Sequence, residues 1–397
     1  MKSSVEKLKI TAFPTLSPTL LFRSGKDEMC SFLLREYGSS KIIFFYLGRI
    51  AIWNSMKIMN LSSNDNVLVP AYHCGVEVRA ILGADVKVKF YRLKENLQMD
   101  LDDLERRIDN HSKAVLVIHY FGFPQPIKEI KVFCEAKRLY LIEDCAHAFL
   151  SNYEGSYLGT YGDLGILSMQ KFLPIPDGGV LLINDPNYEF TGNTESPNLL
   201  SVYRTLIFMF RKHLQVTKSD LFNKIVKISF FNPIRLLFKT IKKASTSDSL
   251  GVVNPTSVDF NLSMPRLDMS QISKRLLINF DFDHIAAKRR DNYSFLLNKL
   301  RRNTELKVCF EKLPEGVCPY FLPVCVEDRA NLQKKLLKRG IETFVFGEFL
   351  HEALPLDDFN IARYFSDKVL ALPIHQDLSH EHLLYMTRSI GEILQED

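Results

Sequence analysis

The sequence lacks several features that would place it in a specialised class of protein. None of its apolar runs reaches the ~18 residues of a membrane-spanning helix, and no internal repeat or low-complexity tract is visible in the 397 residues. The first residues, MKSSVEKLKITAFPTLS, lack the apolar core of a signal peptide. We therefore expect a globular protein in the cytoplasm.

The cysteines form no framework. There are seven, an odd number, their spacings do not repeat, and no CxxC pair occurs. This pattern argues against a disulfide scaffold and against a zinc site. We predict reduced thiols and no bound metal.

Charge and composition give no specialised signal either. The net charge of +5 is small for this length, whereas nucleic-acid-binding proteins usually carry a clear basic patch. Hydrophobic residues make up 46% of the chain and charged residues 24%, as in ordinary globular proteins. We predict a folded chain of two or three domains with no nucleic-acid partner.

Residues 40–185 alternate between strand-like and helix-like segments. Buried strands are predicted at five short runs rich in apolar and β-branched residues: 67–70, 86–90, 114–119, 139–143 and 179–183. Helices are predicted between them, at 76–82, 101–108 and 127–137. The alternation predicts an α/β fold with a mainly parallel sheet flanked by helices.

Residues 186–260 interrupt this pattern. They begin with a polar segment and continue through residues 202–243, which contain ten lysines and arginines against one acid, Asp220. The fragments YRTLIFMFRKHL and NKIVKISFFNPIRLLFKTIKK have the pattern of amphipathic helices. One interpretation is peripheral contact with an anionic membrane surface. The other is a helical insertion that covers the active site or a dimer interface.

The C-terminal third has a different organisation. Apolar residues at helical spacing predict one long helix over residues 268–300. The last ~90 residues mix strands with helices, which predicts a small α+β domain. We place the large domain at residues 25–265, with the insertion at about 186–260, and the long helix and small domain at residues 266–397.

Polar residues stand at the ends of three predicted strands. They are His119, the pair Asp144 and His147, and the segment from Ser168 to Lys171. Each alone has an ordinary explanation, such as a satisfied histidine, a helix cap or a surface lysine. Ligands of α/β sheets bind at the carboxyl ends of the strands, so together these residues predict a ligand site.

Order and spacing of these segments resemble a known family. The runs IEDCAHAF, GTYGDLGILSMQK and LPIPDGGVLLIND are similar to those of the DegT-type sugar aminotransferases, which are fold-type I pyridoxal-phosphate enzymes. The segments VLVPAYHCGVEVRAILGADVKVKFY, AVLVIHYFG, RLDMSQISKRLL and LALPIHQDLSHEHLLYM resemble further parts of the family. The resemblance extends, in order, over residues 25–185 and 260–395, and it implies a large cofactor-binding domain of the fold-type I aminotransferase.

The resemblance implies roles for four of the strand-end residues. Lys171 would hold pyridoxal 5'-phosphate covalently and then move the proton as general acid and base. Asp144 would pair with the pyridine nitrogen, so that the ring acts as an electron sink. His147 would contact the side of the ring that carries the 3-hydroxyl, and Ser168 would help bind the phosphate. The spacing from Ser168 to Lys171 is two residues shorter than in most members.

Further cofactor contacts are expected from two other segments. Gly48 and Arg49 open a predicted helix, whose N-terminus would bind the phosphate; the family usually has threonine or serine after the glycine, and here the charge of Arg49 could contact the phosphate. The family places an aromatic residue over the cofactor ring, where this sequence has Cys74. Tyr72 or His73 would take over this stacking, and we favour His73.

The activity implied is transfer of an amino group, from glutamate, to a keto group of a nucleotide-linked sugar, as in polysaccharide biosynthesis. Relatives with histidine in place of the lysine dehydrate sugars, so Lys171 favours amination. The family forms homodimers, and NLSMPR at residues 261–266 aligns with a segment that reaches the partner's cofactor. The alternatives are an aminotransferase for a non-sugar ketone and a non-catalytic cofactor-binding regulatory or scaffold protein.

Overall fold

The computed structural model describes residues 8–21, 28–217, 260 and 264–395. Its α-helices are α1 (Glu28–Tyr37), α2 (Gly48–Ile58), α3 (Val76–Gly83), α4 (Leu101–Arg107), α5 (Ile127–Lys137), α6 (Leu199–Val216), α7 (Gln271–Leu277), α8 (Phe282–Leu300), α9 (Arg329–Lys338), α10 (Asn360–Lys368) and α11 (His380–Gln395). Its strands are β1 (Lys41–Phe45), β2 (Asn66–Pro70), β3 (Lys87–Tyr91), β4 (Ser112–Ile118), β5 (Tyr140–Cys145), β6 (Asn152–Tyr153), β7 (Ser156–Tyr157), β8 (Leu164–Ser168), β9 (Gly179–Ile183), β10 (Leu306–Val308), β11 (Leu322–Val326) and β12 (Val369–Leu372). None of the helices in these ranges is both long and apolar enough to cross a membrane.

Seven strands form the large sheet, in the order β1-β9-β8-β5-β4-β2-β3. The pairs from β8 to β3 are parallel, and β9 runs opposite to its neighbours β1 and β8. Strands β2, β8 and β9 are buried along their whole length, and β2 and β9 accordingly read as apolar runs in the sequence. The predicted α/β fold with a mainly parallel sheet is confirmed.

The carboxyl ends of the parallel strands meet at one edge of this sheet. In the register, Ile118 at the end of β4 lies opposite Asp144 of β5, and Asp144 lies opposite Ile166 of β8. Helix α2 begins at this same edge, directly after β1. This edge therefore brings together segments that are distant in the sequence.

Strand β1 is not among the strands predicted above, and of β8 only the end, before Lys171, is predicted. The strand pattern of β8 is weakened by Gly165, its second residue. A Cβ on Gly165 would lie only 2.1 Å from the carbonyl oxygen of Gly159. The close approach of the preceding loop therefore requires glycine there, and the same residue hides the strand in the sequence.

The excursion between the two halves of the fold starts and ends at one place. Glu195 and Leu267 form a parallel bridge. The Glu195 N–H donates to Arg266 O at 2.7 Å, and the Asp268 N–H donates to Glu195 O at 2.8 Å. Helix α6 confirms the first amphipathic helix predicted in the insertion, and the second, NKIVKISFFNPIRLLFKTIKK, lies outside the described residues.

The C-terminal part contains a three-stranded antiparallel sheet, β10-β11-β12, packed with helices, as an α+β unit requires. The single long helix predicted over residues 268–300 is wrong, because the structure has two helices, α7 and α8. Ser270 caps α7 by accepting the Ser273 N–H, and Asp281 caps α8 by accepting the His284 N–H. Because Asp281 caps the start of α8, the apolar pattern that continues through the turn is divided between two helices. The domain boundaries stay a prediction.

Candidate active site

Asp144 lies near the end of β5 and is buried, with 3% of its surface exposed. Its Oδ1 accepts the Ala146 N–H at 2.9 Å. Burial first, and then the negative charge of Glu77, raise the pKa of Asp144 to about 6, whereas the positive charge of Lys171 lowers it. A carboxylate in such a place is stabilised by a cationic partner, which a protonated pyridine nitrogen would provide.

His147 lies among aromatic rings that include Tyr320 and Phe346 from the C-terminal part of the chain. Its ring stacks on Tyr320 at 4.8 Å between centroids and meets the edge of Phe346 at 4.7 Å. Both ring nitrogens are buried without a hydrogen-bond partner among the described groups. Burial, and then the charge of Lys171, hold the pKa of His147 well below its usual range, so the ring is neutral. A buried polar group left unpaired is rare in a native structure, and a bound ligand would supply its partner.

Lys171 follows β8 in a short 3₁₀ turn, Met169–Lys171. The turn is fixed by backbone bonds, from the Met169 N–H to Gly178 O at 2.8 Å and from the Phe172 N–H to Met169 O at 3.0 Å. The positive charge of Lys171 acts on the pKa of Asp144, His147 and Cys74. Its ammonium group is therefore close enough for its charge to act on all three residues.

The N-terminus of α2 lies beside Ser168. A Cβ on Gly48 would be 3.7 Å from the Ser168 Cβ, and no side chain caps the helix at Leu47. Arg49 is buried in the first turn, with 7% of its surface exposed. Gly179 is a residue that sequence reasoning missed, since a Cβ there would lie 2.5 Å from the Gly48 nitrogen. A helix N-terminus, a hydroxyl and a guanidinium together suit an anion such as a phosphate.

The predicted stacking of His73 on the cofactor ring is not supported by this geometry. His73 is completely buried, and its ring stacks on Phe90 at 5.4 Å. Its Nδ1 bonds Ala71 O at 2.9 Å, and its Nε2 accepts the His351 N–H at 3.0 Å. Both nitrogens are therefore used: Nδ1 bonds within the loop after β2, and Nε2 joins that loop to the C-terminal part of the chain. Which way a ring turns in a loop depends on such partners and is not encoded in local sequence.

His119 is a satisfied structural histidine. Its Nε2 bonds Glu143 Oε2 at 3.1 Å, and its Nδ1 accepts the Gln125 N–H at 3.0 Å. Glu143 also accepts the N–H groups of Gly159, Tyr161 and Gly162, and so fixes the loop before β8. Although His119, Glu143 and Cys145 lie close enough together to hold a metal ion, the hydrogen bonds already account for the first two.

Glu77 is a second functional candidate that sequence reasoning missed. It lies in the first turn of α3 and is buried, with 5% of its surface exposed. The half-buried thiol of Cys74 donates to its two carboxylate oxygens, at 3.1 and 3.3 Å. The sequence shows only an acidic residue near the start of a helix. Its burial depends on tertiary packing and could not be predicted from that position.

The residues at this edge fit pyridoxal phosphate. Asp144 would hold the pyridine nitrogen, His147 has unused nitrogens for a polar group on the ring, and the charge of Lys171 acts on both residues. The α2 N-terminus with Ser168 offers a place for the phosphate. The fit follows from the unpaired His147 and from the chemistry of the donors, and both are properties of this chain.

Comparisons with known proteins agree with this site. Residues 38–191, which include all seven predicted site residues, match the model of the DegT/DnrJ/EryC1/StrS aminotransferase family. A GDP-perosamine synthase of Escherichia coli O157:H7 is 33% identical over 141 residues, which are 35% of this chain and 39% of that protein. A dTDP-4-dehydro-2,3,6-trideoxy-D-glucose 4-aminotransferase of Saccharopolyspora spinosa is 34% identical over 149 residues, 37% of this chain and 39% of that protein. The chain thus spans about two fifths of the length of these curated relatives.

The fold agrees over a longer stretch. The aminotransferase TlmJ from Streptoalloteichus hindustanus superposes with a TM-score of 0.67, covering 98% of this chain and 99% of that one at 19% sequence identity. This likeness supports the fold beyond the segment that matches in sequence. The resemblance predicted from the sequence is confirmed to this extent: residues 38–191, which carry the strand-end site, match the model of the DegT/DnrJ/EryC1/StrS aminotransferase family.

Proposed function

We propose that this protein is a pyridoxal-phosphate-dependent aminotransferase that transfers an amino group from glutamate to a keto group of a nucleotide-linked sugar. The observation that carries the proposal is the buried Asp144 and the unpaired His147 at one edge of the sheet, with Lys171 close enough for its charge to act on both. A lysine, a buried carboxylate and a polar contact on the ring are what a pyridoxal-phosphate site requires.

The bound cofactor would supply an electron sink for electrons released at the substrate carbon. Asp144 would keep the pyridine nitrogen protonated, since its own ionised form gains from a cationic partner in a buried place. Lys171 would hold the cofactor and, once released, would carry a proton to and from the reacting carbon. His147 would orient the ring, and Gly48, Arg49 and Ser168 would bind the phosphate.

The substrate class is inferred from the relatives. Two of them are named for GDP-linked and dTDP-linked sugars, so we assign a nucleotide-linked keto sugar to this chain, in polysaccharide biosynthesis in the cytoplasm. Nothing in the described site distinguishes one nucleotide from another. The non-sugar ketone and the non-catalytic scaffold are the alternative functions, and the experiment below separates the scaffold from the enzyme.

We also propose a homodimer and a peripheral membrane contact. The start of the described segment after the insertion lies against α2, since the Asn54 Nδ2 donates to Pro265 O at 2.9 Å. This position is close to the phosphate end of the site, where a second subunit would complete it. On α6, Phe208 is exposed on the face opposite the buried Leu206 and Phe210, and its ring would contact the membrane.

The test of the activity is the absorption spectrum of the purified protein with added pyridoxal phosphate. We expect a visible band from the lysine-linked cofactor, absent in Lys171→Ala and retained in a control variant of an exposed lysine, Lys131→Ala. Glutamate should shift the band to shorter wavelength as the amino group is transferred. Failure of the protein to take up the cofactor would overturn the proposal, and uptake without any response to amino donors would favour the non-catalytic scaffold.

A further inference from the structure

Arg289 is a buried cation in the middle of α8. Only 1% of its surface is exposed, and its guanidinium lies over the ring of Phe172, 4.6 Å from the centroid. It donates to three uncharged acceptors: Gln376 Oε1 at 3.0 Å, Tyr320 O at 3.0 Å and Phe172 O at 3.3 Å. The planar guanidinium therefore joins three segments that are far apart in the sequence.

One of these segments carries Lys171. Phe172 directly follows the lysine, and its carbonyl accepts a second bond, from the Gln376 Nε2 at 3.0 Å. Because Gln376 also accepts from the Arg289 Nε, the two side chains and the Phe172 carbonyl form a closed set of hydrogen bonds. The backbone next to Lys171 is thus held by side chains from the C-terminal part of the chain.

A second segment leads to His147. The Tyr320 carbonyl accepts from Arg289. The ring of Tyr320 stacks on His147 at 4.8 Å and on Phe172 at 5.1 Å between centroids. Arg289 therefore bonds both the residue that follows Lys171 and the residue that stacks on His147.

A buried guanidinium is a costly way to fill this space. Removing the charge from water costs free energy, and uncharged acceptors offset only part of that cost. An apolar side chain of similar length, such as methionine, would serve packing alone. It would not supply several N–H donors in a fixed planar arrangement. The presence of arginine is therefore best explained by the groups whose positions it fixes.

We propose that Arg289 is a positioning residue of the candidate active site: with Gln376 it fixes the backbone beside Lys171 and the ring that stacks on His147, so that lysine and histidine meet a bound cofactor in one arrangement. This inference rests on the proposed function, because it requires a cofactor bound at Lys171. Arg289 and Gln376 both lie outside residues 38–191, the stretch that matches the family model.

The first test uses the cofactor-free protein and measures hydrogen exchange of the peptide that contains Lys171 by mass spectrometry. The N–H groups of Phe172 and Leu173 donate to Met169 O at 3.0 and 2.9 Å. In Arg289→Met these two amides should exchange about tenfold faster, the factor expected when one hydrogen bond to a charged group no longer opposes opening of the turn.

Asn292→Leu is the matched control. Asn292 lies one turn further along α8 and is 1% exposed, like Arg289. Its Nδ2 donates to Ile374 O at 3.1 Å and to His375 O at 3.0 Å, so it joins α8 to the segment before Gln376 by bonds that do not involve the lysine turn. This variant should unfold at a lower temperature but leave the exchange of the two amides unchanged.

The second test follows the growth of the visible band after the cofactor-free protein is mixed with pyridoxal phosphate. Arg289→Met should form the band about tenfold more slowly, because Lys171 is no longer held in one arrangement. Arg289→Lys keeps the charge without the planar donors and should recover part of the rate. Asn292→Leu should form the band at the natural rate.

Gln376→Leu provides an independent variant, which also serves if Arg289→Met does not fold. It removes the other donor to the Phe172 carbonyl, and it should slow the band in the same way. Because both side chains bond this one carbonyl, the double variant should be slowed by less than the product of the two single effects.

The outcomes separate this inference from the activity itself. If exchange of the two amides quickens but the band forms at the natural rate, Arg289 has only a structural role, so the inference is wrong and the proposed function stands. An equal slowing of the band in Asn292→Leu would assign the effect to a loosened α8 and would also overturn the inference. Natural behaviour of both Arg289→Met and Gln376→Leu would do the same. If the natural protein forms no band, the proposed function and this inference fail together.

Discussion

At the scale of single residues, Asp144 makes the cofactor-free protein sensitive to pH. Its pKa rises from 3.8 to about 6 on folding, so the unfolded chain loses this proton at lower pH than the folded protein does. The folded state is therefore penalised progressively as the pH rises from about 4 to about 6, and the full penalty persists above that range. The penalty arises because the ionised carboxylate of Asp144 is buried. At this position Asp144 therefore destabilises the folded protein until a cation binds beside it.

This predicts that Asp144→Asn stabilises the cofactor-free protein at neutral pH. The gain should be about 1–3 kcal/mol at pH 7–8 and smaller at pH 5, where much of the natural side chain is protonated. Thermal unfolding of both proteins between pH 5 and 8 measures it, and the difference between them cancels other titrating groups such as Asp177. Added pyridoxal phosphate should stabilise the natural protein more than the variant. A difference in stability that does not change with pH would contradict the argument.

The same scale explains which site residues could be predicted from the sequence. Asp144 and Lys171 stand directly at strand ends, and a parallel sheet brings such positions together whatever the details of packing. Glu77 could not be found in this way, because nothing local distinguishes a buried glutamate in the first turn of a helix from an exposed one. The ring direction of His73 is set by His351, 278 residues away in the sequence.

At the scale of elements, α6 is the part of the described chain that a membrane would contact. Leu199, Tyr203 and Phe208 are 65%, 45% and 57% exposed on it, and residues 202–243 contain ten basic side chains against one acid. Apolar side chains on a helix surface flanked by basic residues favour an interface with anionic lipid. Aromatic rings bury at the headgroup level, and the basic side chains attract the negative surface.

We therefore predict that the protein sediments with vesicles of phosphatidylcholine and phosphatidylglycerol but not with vesicles of phosphatidylcholine alone. Phe208→Ser should reduce this binding severalfold and leave the visible cofactor band unchanged. Leu337→Ser is a matched control, because Leu337 is 60% exposed on α9, away from α6. Equal binding to both kinds of vesicle, or no effect of Phe208→Ser, would exclude α6 as the contact. A change in oligomeric state instead would identify this face as a subunit interface.

Elements also differ in how clearly the sequence announces them. Helix α5 has the predicted bounds, since its apolar spacing and the residues around it agree. The break between α7 and α8 was hidden, because Leu276, Leu277, Phe280 and Phe282 continue an apolar pattern through the turn. The capping bond of Asp281 decides the boundary there, and a capping bond is a local preference that tertiary packing can overrule.

At the scale of the whole molecule, the site lies where the large sheet and the small domain meet, and we predict that two chains complete it. Purified protein should sediment at the mass of two chains at micromolar concentration. Because the segment after the insertion packs on α2 near the phosphate end, cofactor should strengthen the association by linking site occupancy to the interface. A monomer across the concentration range, with the cofactor band intact, would refute the shared site.

The class of fold could be predicted because it depends on an average property, the alternation of strands and helices over more than a hundred residues. The substrate could not, since specificity is set by loops whose positions depend on many weak contacts. Such long-range contacts are not visible in the sequence. Ile10, for example, pairs with Ile341 in an isolated bridge, and no local pattern connects two positions so far apart.

The bridge between Glu195 and Leu267 has an evolutionary consequence. The chain enters and leaves the excursion through neighbouring backbone positions, so lengthening it beyond α6, whose Val202, Leu206 and Phe210 pack in the core, costs the slowly rising entropy of closing a longer loop. Selection can therefore remodel what the protein meets at this surface without disturbing the strand ends that hold the chemistry. In this architecture, the surface that determines what the protein contacts can evolve separately from the site that carries the chemistry.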